Sequence, residues 1–109
     1  MTVRDWIVGR CAAVPADLTT SVLAALGRDA DASEARTGEL CLAAATRSLT
    51  DLLSRERYGR DSALALLAID ALTTFAFEHA SESGGGPAAL RSLAQHGAHT
   101  MSQLAEQRG

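Results

Sequence analysis

Ala63-Leu64-Ala65-Leu66-Leu67-Ala68-Ile69-Asp70-Ala71-Leu72-Thr73-Thr74-Phe75-Ala76-Phe77 is the most apolar stretch of the chain, and only Asp70, Thr73 and Thr74 interrupt it. It is rich in Ala and Leu and free of glycine and proline, which predicts a helix. The run is shorter than the roughly 18–20 residues that span a bilayer and carries an acid near its middle, so a core helix is expected and no membrane span. Asp70, Thr73 and Thr74 lie at i, i+3 and i+4, so they share one helical face, and Ser81 continues the line. Leu66, Leu67 and Phe77 fall on the same face. A carboxylate in such company must be paired, be functional or face outward, because an unpaired buried acid costs several kcal/mol. The expectation is a seam covered by another helix or another subunit.

Outward from that stretch, the composition extends the helical reading to the whole chain. Alanine (22 residues) and leucine (15) dominate its 109 residues, β-branched residues are few, and there are two prolines. This predicts an all-α protein, with one domain over residues 1–109. Ten arginines with no lysine and no asparagine suggest a high-GC bacterial source. Net charge is −3, and the acidity sits in the C-terminal half: residues 1–60 hold eight Arg against eight Asp or Glu, residues 61–109 two against five. A phosphate-tracking surface is therefore disfavoured, and nucleic acid is not an expected partner. Cys11 and Cys41 fall on apolar stripes with no signal-peptide pattern before them, which predicts reduced core thiols and a cytoplasmic location.

Five helices are expected. Val3, Trp6, Ile7, Cys11 and Val14 recur at helical spacing up to Pro15. Asp17 caps a second short helix, Leu18 to Leu26, which Gly27 stops. Asp31 or Ser33 caps a third running to about Arg57, with Gly38, Cys41, Leu42, Ala45, Leu49, Leu52 and Leu53 as its stripe. Tyr58, Gly59 and Arg60 break the chain, and Asp61 caps the fourth helix, which reaches Glu82. Gly84, Gly85 and Gly86 form a tight link, and Pro87 opens a fifth helix to Gln107, with Leu90, Leu93, Ala94, Gly97, Met101 and Leu104 inward. Joined by short turns, the three long helices should form an antiparallel bundle, closed by the two short N-terminal helices.

Several groups invite a chemical reading. His96 and His99 at i, i+3 have a spacing used by metal sites, with Glu78, His79 and Glu82 on the neighbouring helix. The paired Glu-x-x-His motifs of carboxylate-bridged centres are absent, so no metal and no cofactor is expected. Arg55, Arg57 and Arg60 end the third helix, where its dipole favours cations, and with Arg47 they would carry any nucleic-acid contact. Trp6 is expected to anchor the N-terminal helix, with Arg10 stacked one turn on.

Arg91-Ser92-Leu93-Ala94-Gln95-His96 contains Arg-x4-His, which resembles the signature of the HEPN family, all-α bundles that dimerise to form metal-independent ribonucleases. That resemblance implies Arg91 at the scissile phosphate and His96 in acid–base work; the residue after the arginine is Ser92, not the family's usual Asn, Asp or His. Leu67 to Glu78 also looks like a helix of the all-trans isoprenyl diphosphate synthases, whose aspartate-rich motifs this chain lacks. The resemblance implies only a helix packed at a subunit interface.

The function these residues point to is a non-catalytic, self-associating interaction or scaffold module, a homodimer with room for a further protein partner. An apolar helix surrounded by so short a chain has few neighbours to cover every side. The alternative is an enzyme or small-ligand binder, for example a HEPN-like ribonuclease, with catalytic candidates Arg91 and His96 and a pocket at the seam lined by Asp70, Thr73, Thr74 and His99.

Overall fold

Thr2 starts the first helix, α1 (Val3–Arg10), by a reciprocal cap. Its Oγ1 accepts from the Asp5 N–H at 3.2 Å, and its own N–H donates to the Asp5 carboxylate at 2.9 Å. These bonds satisfy amides that a helix start leaves orphaned. In the computed structural model, residues 1–55, 60–83 and 86–108 are described. The remaining helices are α2 (Ala16–Leu26), α3 (Thr37–Arg55), α4 (Arg60–Glu82) and α5 (Gly86–Arg108). The protein is all-α: no β-strand forms among the described residues, apart from an isolated bridge between Thr2 and Ser33.

The second helix starts two residues earlier than Asp17 predicts, with Pro15 at its cap position, and Asp17 accepts the Leu18 N–H at 2.9 Å inside the first turn. Gly27 ends it as expected, with φ at +57°, a conformation that L side chains rarely adopt. A short 3-10 turn, Gly27–Asp31, follows it, and the residues after Ser33, expected to open the third helix, form a second 3-10 turn, Glu34–Arg36. Their backbone is tied to the N-terminal segment: the Val3 N–H donates to Ala32 O and the Glu34 N–H to Met1 O, both at 3.0 Å. Ser33 therefore caps a 3-10 turn, accepting from the Ala35 N–H, and α3 begins only at Thr37. Thr37 is fully buried, and its hydroxyl donates to Glu34 O at 2.7 Å.

The core lies where α4 meets α2, α3 and the N-terminal segment, and its largest sealed side chains are Ile7, Leu72, Val3 and Val22. The start of α3 lies against the end of α4: a Cβ on Gly38 would sit 3.4 Å from Ala76 O. Gly97 of α5 faces α3, 3.6 Å from Leu42 Cδ2 by the same measure, and Leu93 packs on the core half-buried. Ala94, expected inward, is exposed. On α3 the stripe is buried at Gly38, Cys41, Leu42 and Ala45, and gives out toward Leu53.

Helix α4 is covered on one side. Ala68, Leu72, Phe75, Ala76, His79 and Ala80 are buried, whereas Leu66 and Leu67 are 52% and 55% exposed. By length and composition Ser62–Glu82 is apolar enough to cross a membrane, with a mean hydropathy of 1.4 over a window one-third buried in the protein. The expected turn at Tyr58 and Gly59, the link at Gly84 and Gly85, Arg57, and the side chains of Arg60, Asp61, Pro87, Leu90, His96, Met101 and Leu104 lie outside the described residues.

Candidate functional site

Asp70 and Thr74 are exposed, and Thr73 is half-buried with its hydroxyl donating to Ile69 O at 2.8 Å. Among the described residues the Asp70 carboxylate meets no hydrogen-bond or ion-pair partner. It accepts from neither threonine and touches no described arginine, so its face is open within one chain rather than covered by another helix. Arg91 and His99 are also exposed, and neither comes to Asp70. Two of the arginines expected to carry any nucleic-acid contact are engaged singly. Arg47 donates to Ala25 O at 3.2 Å, near Asp29 at 3.8 Å, which closes the end of α2, and Arg55 pairs with Asp51 at 3.0 Å.

The structure instead gathers chemistry at the far end of α4. His79 repeats the inward stripe of Leu72, Phe75 and Ala76 one turn later, and is 6% exposed. Its Nε2 lies 3.0 Å from Oε1 of Glu34. Glu34 reaches it because the N-terminal segment pins the Ala32–Glu34 backbone across the end of the helix. The Trp6 ring packs against this histidine, edge-on to His79 at 5.4 Å and to Phe75 at 5.9 Å. Above Trp6 lies the Arg10 guanidinium, 4.1 Å from the ring centroid, held by Glu82 and by Glu78 at 3.3 Å. The stack of Arg10 on Trp6 is the anchor that the spacing predicts, and its ion pairs fasten α1 to the last turns of α4. The hydrogen bond to Glu82, with the field of both carboxylates, raises the Arg10 pKa above its ordinary value.

A cavity of about 450 Å³ opens beside His79, bordered by Gly38, Glu39, Ser83, Ser92 and Leu93. It lies between the start of α3, the end of α4 and the first half of α5. Of the expected seam and catalytic residues, none described borders it. Ser92, read from sequence only as the residue after Arg91, does.

Cys11 and Cys41 are buried free thiols, as their apolar stripes predict. Burial pushes the Cys41 thiol up to about 12, so it is an inert core residue and no nucleophile. Among the described residues no three His, Cys, Asp or Glu side chains converge to hold a metal ion.

The His79–Glu34 pair escapes a sequence reading because its members are 45 residues apart and joined by an irregular turn. One signal was present: His79 lies at i+3 and i+4 from Ala76 and Phe75, on the helix's inward stripe, whereas the expected candidates lie elsewhere. Comparison with protein-family models, with curated proteins and with solved structures finds no match.

Proposed function

We propose that the chain is a non-catalytic interaction module of the bacterial cytoplasm that self-associates as a homodimer through the open face of α4. The observation that carries this reading is the exposure of Leu66 and Leu67, 52% and 55%, in the middle of the most apolar helix. Adjacent exposed leucines bordered by Asp70 and Thr74 form an apolar patch with a polar border, a pattern that marks association surfaces. A second copy covers such a face at lower cost than lipid does, because Asp70 keeps access to water at an interface rim and would lose it in hydrocarbon. In this reading the three long helices form an antiparallel bundle closed by α1 and α2. The approach of Gly38 to Ala76, and of Gly97 to Leu42, supports that arrangement.

Size-exclusion chromatography with light scattering on micromolar protein tests the reading. A mass of two chains is expected, falling to one chain in the double substitution Leu66→Arg, Leu67→Arg with helix content by circular dichroism unchanged. A wild-type protein that is strictly monomeric overturns it.

A further inference from the structure

His79 presents only one of its two ring nitrogens to the protein. Nε2 faces the Glu34 carboxylate at 3.0 Å, and since a carboxylate only accepts, Nε2 carries the proton. In the neutral ring Nδ1 is then the acceptor. It points toward Gly38, 3.5 Å from where a Cβ would sit. Nδ1 meets no hydrogen-bond partner among the described residues, yet no buried side-chain nitrogen or oxygen among them is left unsatisfied. The nitrogen of this otherwise buried ring is therefore not sealed. Both His79 and Gly38 border the 450 Å³ cavity, so the opening is into that space, and it exists because residue 38 has no side chain. A volume of this size accommodates a small organic molecule.

The rest of the wall narrows the chemistry. Ala35, Ala80 and Leu93 supply apolar surface, and Ser83 offers little because its hydroxyl donates to Ala80 O at 3.2 Å. Arg36 and Glu39 also border the cavity but neutralise each other, with Nε to Oε1 at 2.5 Å, so neither sign of ligand charge is favoured. We propose that this cavity binds a small uncharged molecule that donates a hydroxyl or amide hydrogen to Nδ1 of His79 and lays its apolar part against Ala35, Ala80 and Leu93. The site does not depend on self-association, since every group named belongs to one chain.

The test uses benzyl alcohol, which has the donor and the apolar body, and toluene, which has the body alone. Long-range nitrogen–proton NMR on the full chain reads the two His79 ring nitrogens separately. Benzyl alcohol should bind saturably and move the Nδ1 resonance upfield, with Nε2 little changed, while toluene at equal concentration leaves Nδ1 in place. Gly38→Ala should weaken benzyl alcohol binding at least about tenfold, because its methyl group covers Nδ1. That methyl would meet Ala76 O at 3.4 Å and His79 Nδ1 at 3.5 Å, ordinary van der Waals distances, so the variant should fold. Equal binding of both probes, an unmoved Nδ1, or undiminished binding to Gly38→Ala overturns the proposal. Should Gly38→Ala fail to fold, the contrast between the two probes on the wild-type ring decides it alone.

Discussion

The two faces of α4 both carry leucine, and those leucines meet opposite fates. Leu72 is fully buried among α2, α3 and the N-terminal segment, while Leu66, six residues earlier on the same helix, is half exposed. Hydropathy therefore does not decide which side of a helix is core; the elements that reach it do. On the inward face His79 meets Glu34 through Nε2, whereas the outward face carries a carboxylate with no partner among the described residues. Within one chain the helix is buried on one side and open on the other.

The largest effect that would break this contrast is a truncation on the two faces in parallel. Leu72→Ala is expected to cost ~2–5 kcal/mol of folding stability, since it removes a sealed side chain and leaves a cavity. Leu66→Ala in dilute protein should stay within ~0.5 kcal/mol of wild type, as surface changes do. Urea unfolding at low and high protein concentration measures both. A large cost for Leu66→Ala at every concentration would mean that the outward face is core after all.

Thiol chemistry sharpens the same boundary from the facing helix. With its pKa at about 12, roughly one Cys41 thiol in 10⁴ is ionised at pH 8, about a thousandfold fewer than for an ordinary thiol at 9.0. Iodoacetamide should leave Cys41 unmodified in native protein and label it on unfolding, as mass spectrometry of the peptides would show. Because the folded pKa is raised, this burial contributes stability that is fully present below about pH 9 and is lost as pH rises toward 12. Rapid native labelling would show that the α3–α4 contact opens.

How far these contrasts could be read from sequence depends on the range of the interaction. Local features were legible: the end of α2 at Gly27, the Trp6–Arg10 stack at one helical turn, and the placing of Cys11 and Cys41 on apolar stripes. The start of α3 was not, because backbone bonds from Met1 and Val3 hold the Ala32–Glu34 segment in a turn that no neighbouring residue encodes. The His79–Glu34 pair follows from that same long-range tether. Asp70 was legible as an anomaly, and its exposure became visible only when α2, α3 and α5 were seen to leave that side of α4 open.

A smaller effect concerns how the N-terminal segment closes the C-terminal end of the inward face. Thr2→Ala removes the side-chain acceptor of the α1 cap and should cost ~1 kcal/mol, loosening the Trp6 cover over His79. The bond that the Thr2 backbone N–H donates to Asp5 lowers the pKa of that carboxyl below its ordinary 3.8. A depressed folded pKa contributes stability that is present above pH 3.8 and is lost as pH falls through the lowered value. Asp5→Asn should therefore flatten the acid limb of a stability–pH curve read by Trp6 fluorescence, and an unchanged limb would show that the cap does not hold α1 in solution.

The smallest folding effect, and the one that most directly separates the two faces, belongs to Asp70. Asp70→Leu replaces an exposed carboxylate, unpartnered among the described residues, in the middle of the outward face, and should shift monomer stability by no more than ~0.5 kcal/mol. Its effect on the proposed association runs the other way from that of a core defect: the apolar surface added at the rim should tighten the proposed dimer. Sedimentation equilibrium reads the change as a lower dissociation constant. A weaker dimer would mean that the carboxylate itself makes a bond across the interface, and the natural acid would then be a positioning group for the second copy rather than a polar border to an apolar patch.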